Sequence, residues 1–175
     1  RMPPLGESQR DALLAELGGL RKFCYSLTGN SADADDLLQT TVEKILDKGM
    51  PHDAHPAKWA YRVCKNTWID EIRSRDVRHR YPQQVDSEGE VSLTTETIAH
   101  DEREIVTVGN ALNELPAEQR LALSLVAIDG KTYAEAADIL EVPIGTIMSR
   151  IARARKNLVA SLGDELPDMT NREKT

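Results

Sequence analysis

The chain has 175 residues, of which 40% are apolar, 29% charged and 4% aromatic, a composition typical of a soluble, helix-rich protein and poor for a β-sandwich. Collagen-like, membrane-spanning and disulfide-rich classes are excluded, and the length suits either one core or two small domains. The net charge of −7 argues in bulk against nucleic acid, but the signs are segregated. Residues 86–104 hold seven acids against Arg103 alone, whereas residues 58–80 hold seven Lys and Arg against three acids, and residues 142–163 hold Arg150, Arg153, Arg155 and Lys156 with no acid.

In chain order, Gly6-Glu7-Ser8 offers a helix start, and Leu13, Leu14, Leu17, Leu20, Cys24 and Leu27 recur at helical steps to a stop at Gly29-Asn30. One amphipathic helix is expected there, weakened by Gly18-Gly19. Ser31 is the expected cap of a second helix, whose first turn carries Asp33, Asp35 and Asp36 at the positive end of the dipole. Its apolar stripe is Ala34, Leu37, Leu38, Val42, Ile45 and Leu46; its polar face is Asp36, Gln39, Thr40, Glu43 and Asp47. After a break at Gly49 to Asp53, Pro56 suits the first turn of a third helix running to about Arg80.

From Pro82 to about His100 no period is sustained and polar residues dominate, which predicts a solvated, flexible acidic linker. Beyond it, Ile105, Val108, Ala111, Leu112 and Leu115 mark a helix ended by Pro116, and Leu121, Ala122, Leu125, Val126 and Ile128 mark another ended by Asp129-Gly130. Thr132-Tyr133-Ala134-Glu135 has the pattern of a capping box, and Gly145-Thr146 opens a last helix to Leu162 with Gly163 as its cap. The expectation is an all-α chain. It divides into a helical bundle at residues 6–81, a linker at 82–100, a helix-turn-helix domain at 101–163 and a tail at 164–175.

Cys24 and Cys64 have no second Cys or paired His at ligand spacing, so they read as small buried hydrophobes, with no zinc site or disulfide signalled. No stretch resembles a signal peptide, and the apolar run Leu121 to Ile128 is too short to cross a bilayer, so a cytoplasmic protein without membrane insertion is expected. No triad, paired carboxylates, metal cluster or phosphate-binding Gly-rich loop is visible; no enzyme, metal, cofactor or small-molecule substrate is expected.

The most informative segment is Thr132 to Leu162, a short capped helix, a tight connection and a longer basic helix, the layout of a helix-turn-helix. On the second of these helices Ile147, Ile151, Ala154, Leu158 and Leu162 fall in a stripe about 80° wide, with Ser149, Arg153 and Lys156 pointing away from it. Arg150 and Arg155 flank the stripe, and the amides at Gly145 and Thr146 suit a phosphate. In the third helix, Trp59, Tyr61, Arg62, Lys65, Asn66, Trp68 and Arg73 interleave rings and cations, as stacking on unpaired bases requires. Trp68 is assigned to the core, while Trp59 and Tyr61 could belong either to the core or to a base-stacking face.

Asp35-Asp36-Leu37-Leu38-Gln39, Trp59 to Asn66 with Asp70 and Arg73, Glu135 to Leu140, and Gly145 to Arg155 together resemble the extracytoplasmic-function (ECF) class of bacterial sigma factors, in the sigma-70 family. The resemblance covers nearly the whole chain outside the linker and tails. It implies a sigma2-like domain that binds the clamp helices of core RNA polymerase and opens the minus-ten element, and a sigma4-like domain that reads the minus-thirty-five element and binds the β-flap. Carried over by position, Asp36, Gln39, Thr40 and Glu43 would face polymerase. Trp59, Tyr61, Arg62, Lys65, Asn66 and Arg73 would lie at the minus-ten strand. Gly145, Thr146, Ser149, Arg150, Arg153 and Lys156 would meet the minus-thirty-five groove. Promoter DNA, core polymerase and an anti-sigma factor are the partners it implies. A free-standing DNA-binding regulator and a sigma-like decoy that sequesters an anti-sigma factor are the alternatives.

Overall fold

A computed structural model describes residues 2–80 and 110–162, and every regular element among them is helical. The acidic linker, Ile105 and Val108, the cap at Gly163 and the tail lie outside the described residues. In order the helices are α1 (Glu7–Ala15), α2 (Leu17–Thr28), α3 (Ser31–Lys48), α4 (Pro56–Arg80), α5 (Ala117–Leu123), α6 (Tyr133–Leu140) and α7 (Ile144–Leu162). A helical stretch at 110–113 precedes α5, which runs on into a π-helical turn, Ser124–Ile128.

The first expected helix is two. The ladder breaks at Glu16, whose amide reaches back three residues to the Leu13 carbonyl (3.0 Å). The break resets the helical phase, so Leu13 and Leu20 are buried while Leu14, assigned to the same stripe, stands 65% exposed. Gln9 ties α1 down by accepting from the Gly6 amide and donating to the Pro51 carbonyl, each at 3.0 Å. Asn30 rather than Ser31 caps α3. Its side-chain oxygen accepts from the Asp33 amide at 2.8 Å, which a residue already inside the helix is placed too late to do.

In α3 the apolar stripe is shifted by part of a turn from the sequence expectation. Ala34, Leu37 and Ile45 are buried, Thr41 is fully buried with its hydroxyl donating to the Leu37 carbonyl, and Leu46 is exposed. A threonine can replace an aliphatic residue there because its hydroxyl is satisfied within its own helix. Gly49, at φ +80°, closes the helix; a Cβ there would lie 1.9 Å from the Pro3 carbonyl oxygen, so the N-terminal segment crosses this loop only because it is glycine.

The core of the first bundle is built from Leu20, Phe23, Leu27, Leu37, Ile45, Met50, Tyr61 and Trp68, each worth about 1.5–3 kcal/mol if fully buried. Cys24 and Cys64 are both fully buried with their sulfurs 3.4 Å apart and the thiols free. The hydrogen bond to Cys24, and then burial, push the Cys64 thiol well above its ordinary range, so the pair serves as apolar packing between α2 and α4. In the second bundle, α5, α6 and α7 enclose Leu121, Leu125, Ala136, Ile139, Ile147, Ile151 and Leu158. Ile128, expected inside, is 38% exposed at the end of the π turn.

The two bundles touch. α2 packs on the π turn and α4 on α6. Arg120 on α5, nearly buried, donates through Nε to the Ser26 carbonyl of α2 at 2.8 Å. Burial lowers its pKa to about 10, and its Nη2 has no partner among the described residues. Tyr61 on α4 meets Phe23 with ring centroids 5.2 Å apart and donates its hydroxyl to Asp129 at 2.5 Å. Gly19 makes room for it, since a Cβ there would sit 2.8 Å from the Tyr61 hydroxyl.

Candidate nucleic-acid and polymerase interfaces

The helix-turn-helix forms from local signals that agree. Thr132 caps α6 by accepting from the Glu135 amide at 3.0 Å, and the Glu135 carboxylate accepts from the Thr132 amide at 2.9 Å. The Thr132 amide also holds the Glu135 carboxyl below its usual range. Glu141 ends α6 in the left-handed region at φ 59°, a conformation usually given to Gly or Asn, and turns the chain into Val142-Pro143. The Pro143 carbonyl then accepts from the amides of Thr146 and Ile147, at 2.9 and 3.3 Å, so α7 begins at Ile144, one residue earlier than the glycine suggests.

Ile147, Ile151, Ala154 and Leu158 are buried against α5 and α6, and Leu162 is half-buried at the end of the same stripe. Opposite them Gly145, Ser149, Arg153 and Lys156 are exposed, with Thr146 half-buried at their edge. A shallow cleft of about 340 Å³ opens between this face and the start of α5, lined by Glu118, Gly145, Thr146, Ser149, Arg150 and Arg153. Arg150 is not simply solvated: its Nη2 lies 3.2 Å from Glu118. Met148 and Ile144 are 48% and 41% exposed beside the polar residues, so this surface has an apolar flank.

At about 100° per residue, Arg62, Asn66 and Arg73 share one face of α4, with Trp59 at its edge. Asn66 and Arg73 are exposed, Lys65 is half-buried, and Trp59 is half-buried against the core. Tyr61 departs from its expected place at the DNA. It lies about 100° around α4 from Arg62 and is 1% exposed, beneath the second bundle. Helical geometry separates Tyr61 from Arg62 around α4, but its cover is a contact with Asp129, 68 residues away. Arg62 is engaged by Asp138 on α6, and so is Lys58, which sequence reading passed over although it stands one turn before Arg62.

On α3, Asp36, Gln39 and Glu43 are exposed together, and Gln39 Nε2 donates to Glu43 at 3.4 Å; Thr40 is half-buried. Leu46, 51% exposed on the same side, adds an apolar contact point that its assignment to the core stripe had hidden.

Sequence comparison joins these faces. The pattern of Sigma-70 region 2 matches residues 14–78 and that of Sigma-70, region 4 matches residues 105–158. The ECF RNA polymerase sigma factor EcfG of Rhodopseudomonas palustris (strain TIE-1) is 39% identical over 166 residues, covering 91% of this chain and 87% of the relative. This chain belongs to the ECF RNA polymerase sigma factors. SigE of Mycolicibacterium smegmatis is 33% identical over 140 residues, 78% of this chain and 54% of the relative.

Among solved structures, the sigma factor RpoE of Bartonella quintana, in complex with the anti-sigma factor NepR, matches with a TM-score of 0.72 at 28% identity, over 92% of this chain and all of that one. The anti-anti-sigma factor PhyR of the same organism, in complex with NepR, shares the fold alone, with a TM-score of 0.59 at 15% identity over 87% of this chain and 50% of that one. Sigma factors are not enzymes. They direct core RNA polymerase to promoters, and α3, α4 and α7 are the helices on which this ECF member carries its candidate contacts. Among the described residues no helix is long and apolar enough to cross a membrane.

Proposed function

We propose that this ECF sigma factor docks on the polymerase clamp through Asp36, Gln39, Thr40, Glu43 and Leu46. In this reading Trp59, Arg62, Lys65, Asn66 and Arg73 hold the opened minus-ten strand, and α7 enters the minus-thirty-five major groove. There Ser149 and Arg153 read base edges, while Gly145, Thr146, Arg150 and Lys156 engage phosphates. The observation that carries the reading is the open face of α7: two cations and a hydroxyl stand exposed directly opposite a fully buried stripe, so the helix can enter a groove without disturbing its own core. Residues 6–81 and 101–163 act as the two functional domains, 82–100 as the linker and 164–175 as a tail.

Neither DNA face is large, so promoter affinity comes from polymerase holding both domains at the promoter spacing. The chain works in the cytoplasm, and the β-flap is the second docking point on polymerase. An anti-sigma factor is a further partner, supported by the likeness to the NepR-bound RpoE. The test is run-off transcription with purified core polymerase on a library of promoter fragments. Discrete transcripts that depend on the protein are expected. Core-independent protection of DNA would indicate a free-standing regulator, and anti-sigma binding without transcripts would indicate a decoy. A Gln39→Ala/Glu43→Ala double variant should keep its fold and lose competition for core enzyme; unchanged competition would remove α3 from the interface.

A further inference from the structure

The cations at the start of α4 are already occupied in the free chain. Arg62 Nη2 donates to both the backbone carbonyl of Asp138, at 2.8 Å, and its Oδ1, at 3.0 Å. Lys58 Nζ lies 2.7 Å from the other carboxylate oxygen, Oδ2. One carboxylate on the second bundle therefore bridges two cations one helical turn apart on the first. That arrangement presents to α4 what a DNA backbone phosphate would: a negative charge with two acceptor oxygens turned toward neighbouring Lys and Arg side chains.

The contact is part of a larger seam. Beside it the Tyr61 hydroxyl donates to Asp129, whose carboxylate is nearly buried, and Lys131 Nζ sits 4.7 Å above the Tyr61 ring and 3.9 Å from Asp129. Deeper in, Arg120 reaches the Ser26 carbonyl. The seam is thus anchored by buried groups and edged by Asp138, whose side chain is 46% exposed and open to competition by salt or by another anion.

We propose that Asp138 is an internal stand-in for a DNA phosphate, holding Lys58 and Arg62 against the second bundle in the free sigma factor, so that the minus-ten strand must displace it. The inference deepens the functional reading above and rests on it for the identity of the competing ligand. The closed seam and strand binding compete, because both draw on the same two cations, Lys58 and Arg62. The α7 face takes no part in the seam contacts just described and keeps Ser149, Arg153 and Lys156 exposed. Among the described residues, the seam thus occupies cations of the strand-binding side while these three α7 residues stay exposed.

The test compares the full-length chain with Asp138→Asn and with Arg62→Ala. Small-angle scattering gives the radius of gyration, and fluorescence anisotropy gives affinity for a fluorescein-labelled single-stranded DNA of mixed sequence. Asp138→Asn removes the charge that Lys58 and Arg62 share and keeps the Arg62 bond to the backbone carbonyl, whereas Arg62→Ala removes both Arg62 bonds. Each weakens the edge of the seam, so each should let it open more often and expand the chain. Only Asp138→Asn also frees a cation, so it should bind the strand roughly fivefold more tightly at low salt, whereas Arg62→Ala should bind more weakly. Added salt should expand the wild type and have little further effect on Asp138→Asn.

An Asp138→Asn chain with unchanged radius and unchanged or weaker strand binding overturns the proposal. Circular dichroism melting establishes that each variant is folded, and the wild-type salt series reads the latch without any substitution. Run-off transcription separates the two claims. If the wild type yields no transcripts while Asp138→Asn still expands and binds more tightly, the latch stands and the initiation reading fails; if transcripts appear and neither radius nor affinity responds, the latch alone fails.

Discussion

Helices α4 and α7 look alike as sequences: each carries Lys and Arg on one face and apolar residues on the other, and each is expected to meet DNA. In the folded chain they differ. The cations of α7 that point away from its core, Arg153 and Lys156, stand in solvent. Those at the start of α4, Lys58 and Arg62, are bridged by Asp138, and the adjacent Tyr61 is covered by the second bundle. A basic helix is available to a polyanion only where no acid of the same chain has been brought to it, and that depends on how the two bundles meet.

The comparison can be broken first at the core that holds α7 up. Ile151→Ala leaves a cavity under the middle of the helix and should cost about 2–5 kcal/mol in thermal or denaturant unfolding. A loss below 1 kcal/mol would mean that α7 is not seated as described. It can be sharpened next at the exposed faces. Arg153→Ala should cost about 1–3 kcal/mol of minus-thirty-five recognition if the side chain reads a base, read as lower transcription confined to templates carrying that element. Asn66→Ala, by contrast, should slow opening on templates of either kind. Equal responses from the two variants would show that α4 and α7 do not divide the promoter between them.

A smaller effect is expected at the cap that orients α6 toward α4. Thr132→Ala should destabilise by about 0.5–2 kcal/mol, read by unfolding. Its partner Glu135 has a lowered pKa in the folded chain, so its contribution is present at neutral pH and fades as the pH falls below the ordinary glutamate range and through the folded value. The wild type should therefore lose slightly more stability than Glu135→Gln between neutral and acid pH; parallel curves would count against the capping box. The least change is expected for Lys156→Ala, which should weaken promoter binding uniformly across sequences and reduce its salt slope by about one.

Much of the molecule was legible before any coordinates. The capping box at Thr132, the stop at Asp129-Gly130, the start at Pro56 and the buried stripe Ile147, Ile151, Ala154 and Leu158 are local signals whose physics lies within a turn or two of chain. The errors share a different origin. Asn30 replaced Ser31 because two adjacent residues can both cap, and geometry selects the one just outside the helix. Leu14 and Leu46 were placed inside because periodicity counts apolar residues without knowing where a ladder breaks or how far a partner helix extends. Thr41 was missed because a hydroxyl that bonds its own backbone is apolar to its surroundings.

The candidate sites divide in the same way. The sequence by itself determined the family, the helical class, the helix-turn-helix and the outward face of α7, because hydrophobic period, capping and charge along one helix settle which side of it is buried. Tertiary structure alone decided that Tyr61 lies beneath the second bundle, that Glu118 holds Arg150, and that Asp138 binds Lys58 and Arg62 from 76 residues away in the case of Arg62. Charge pairing between distant segments depends on where the bundles come to rest, and no spacing within a single helix records it.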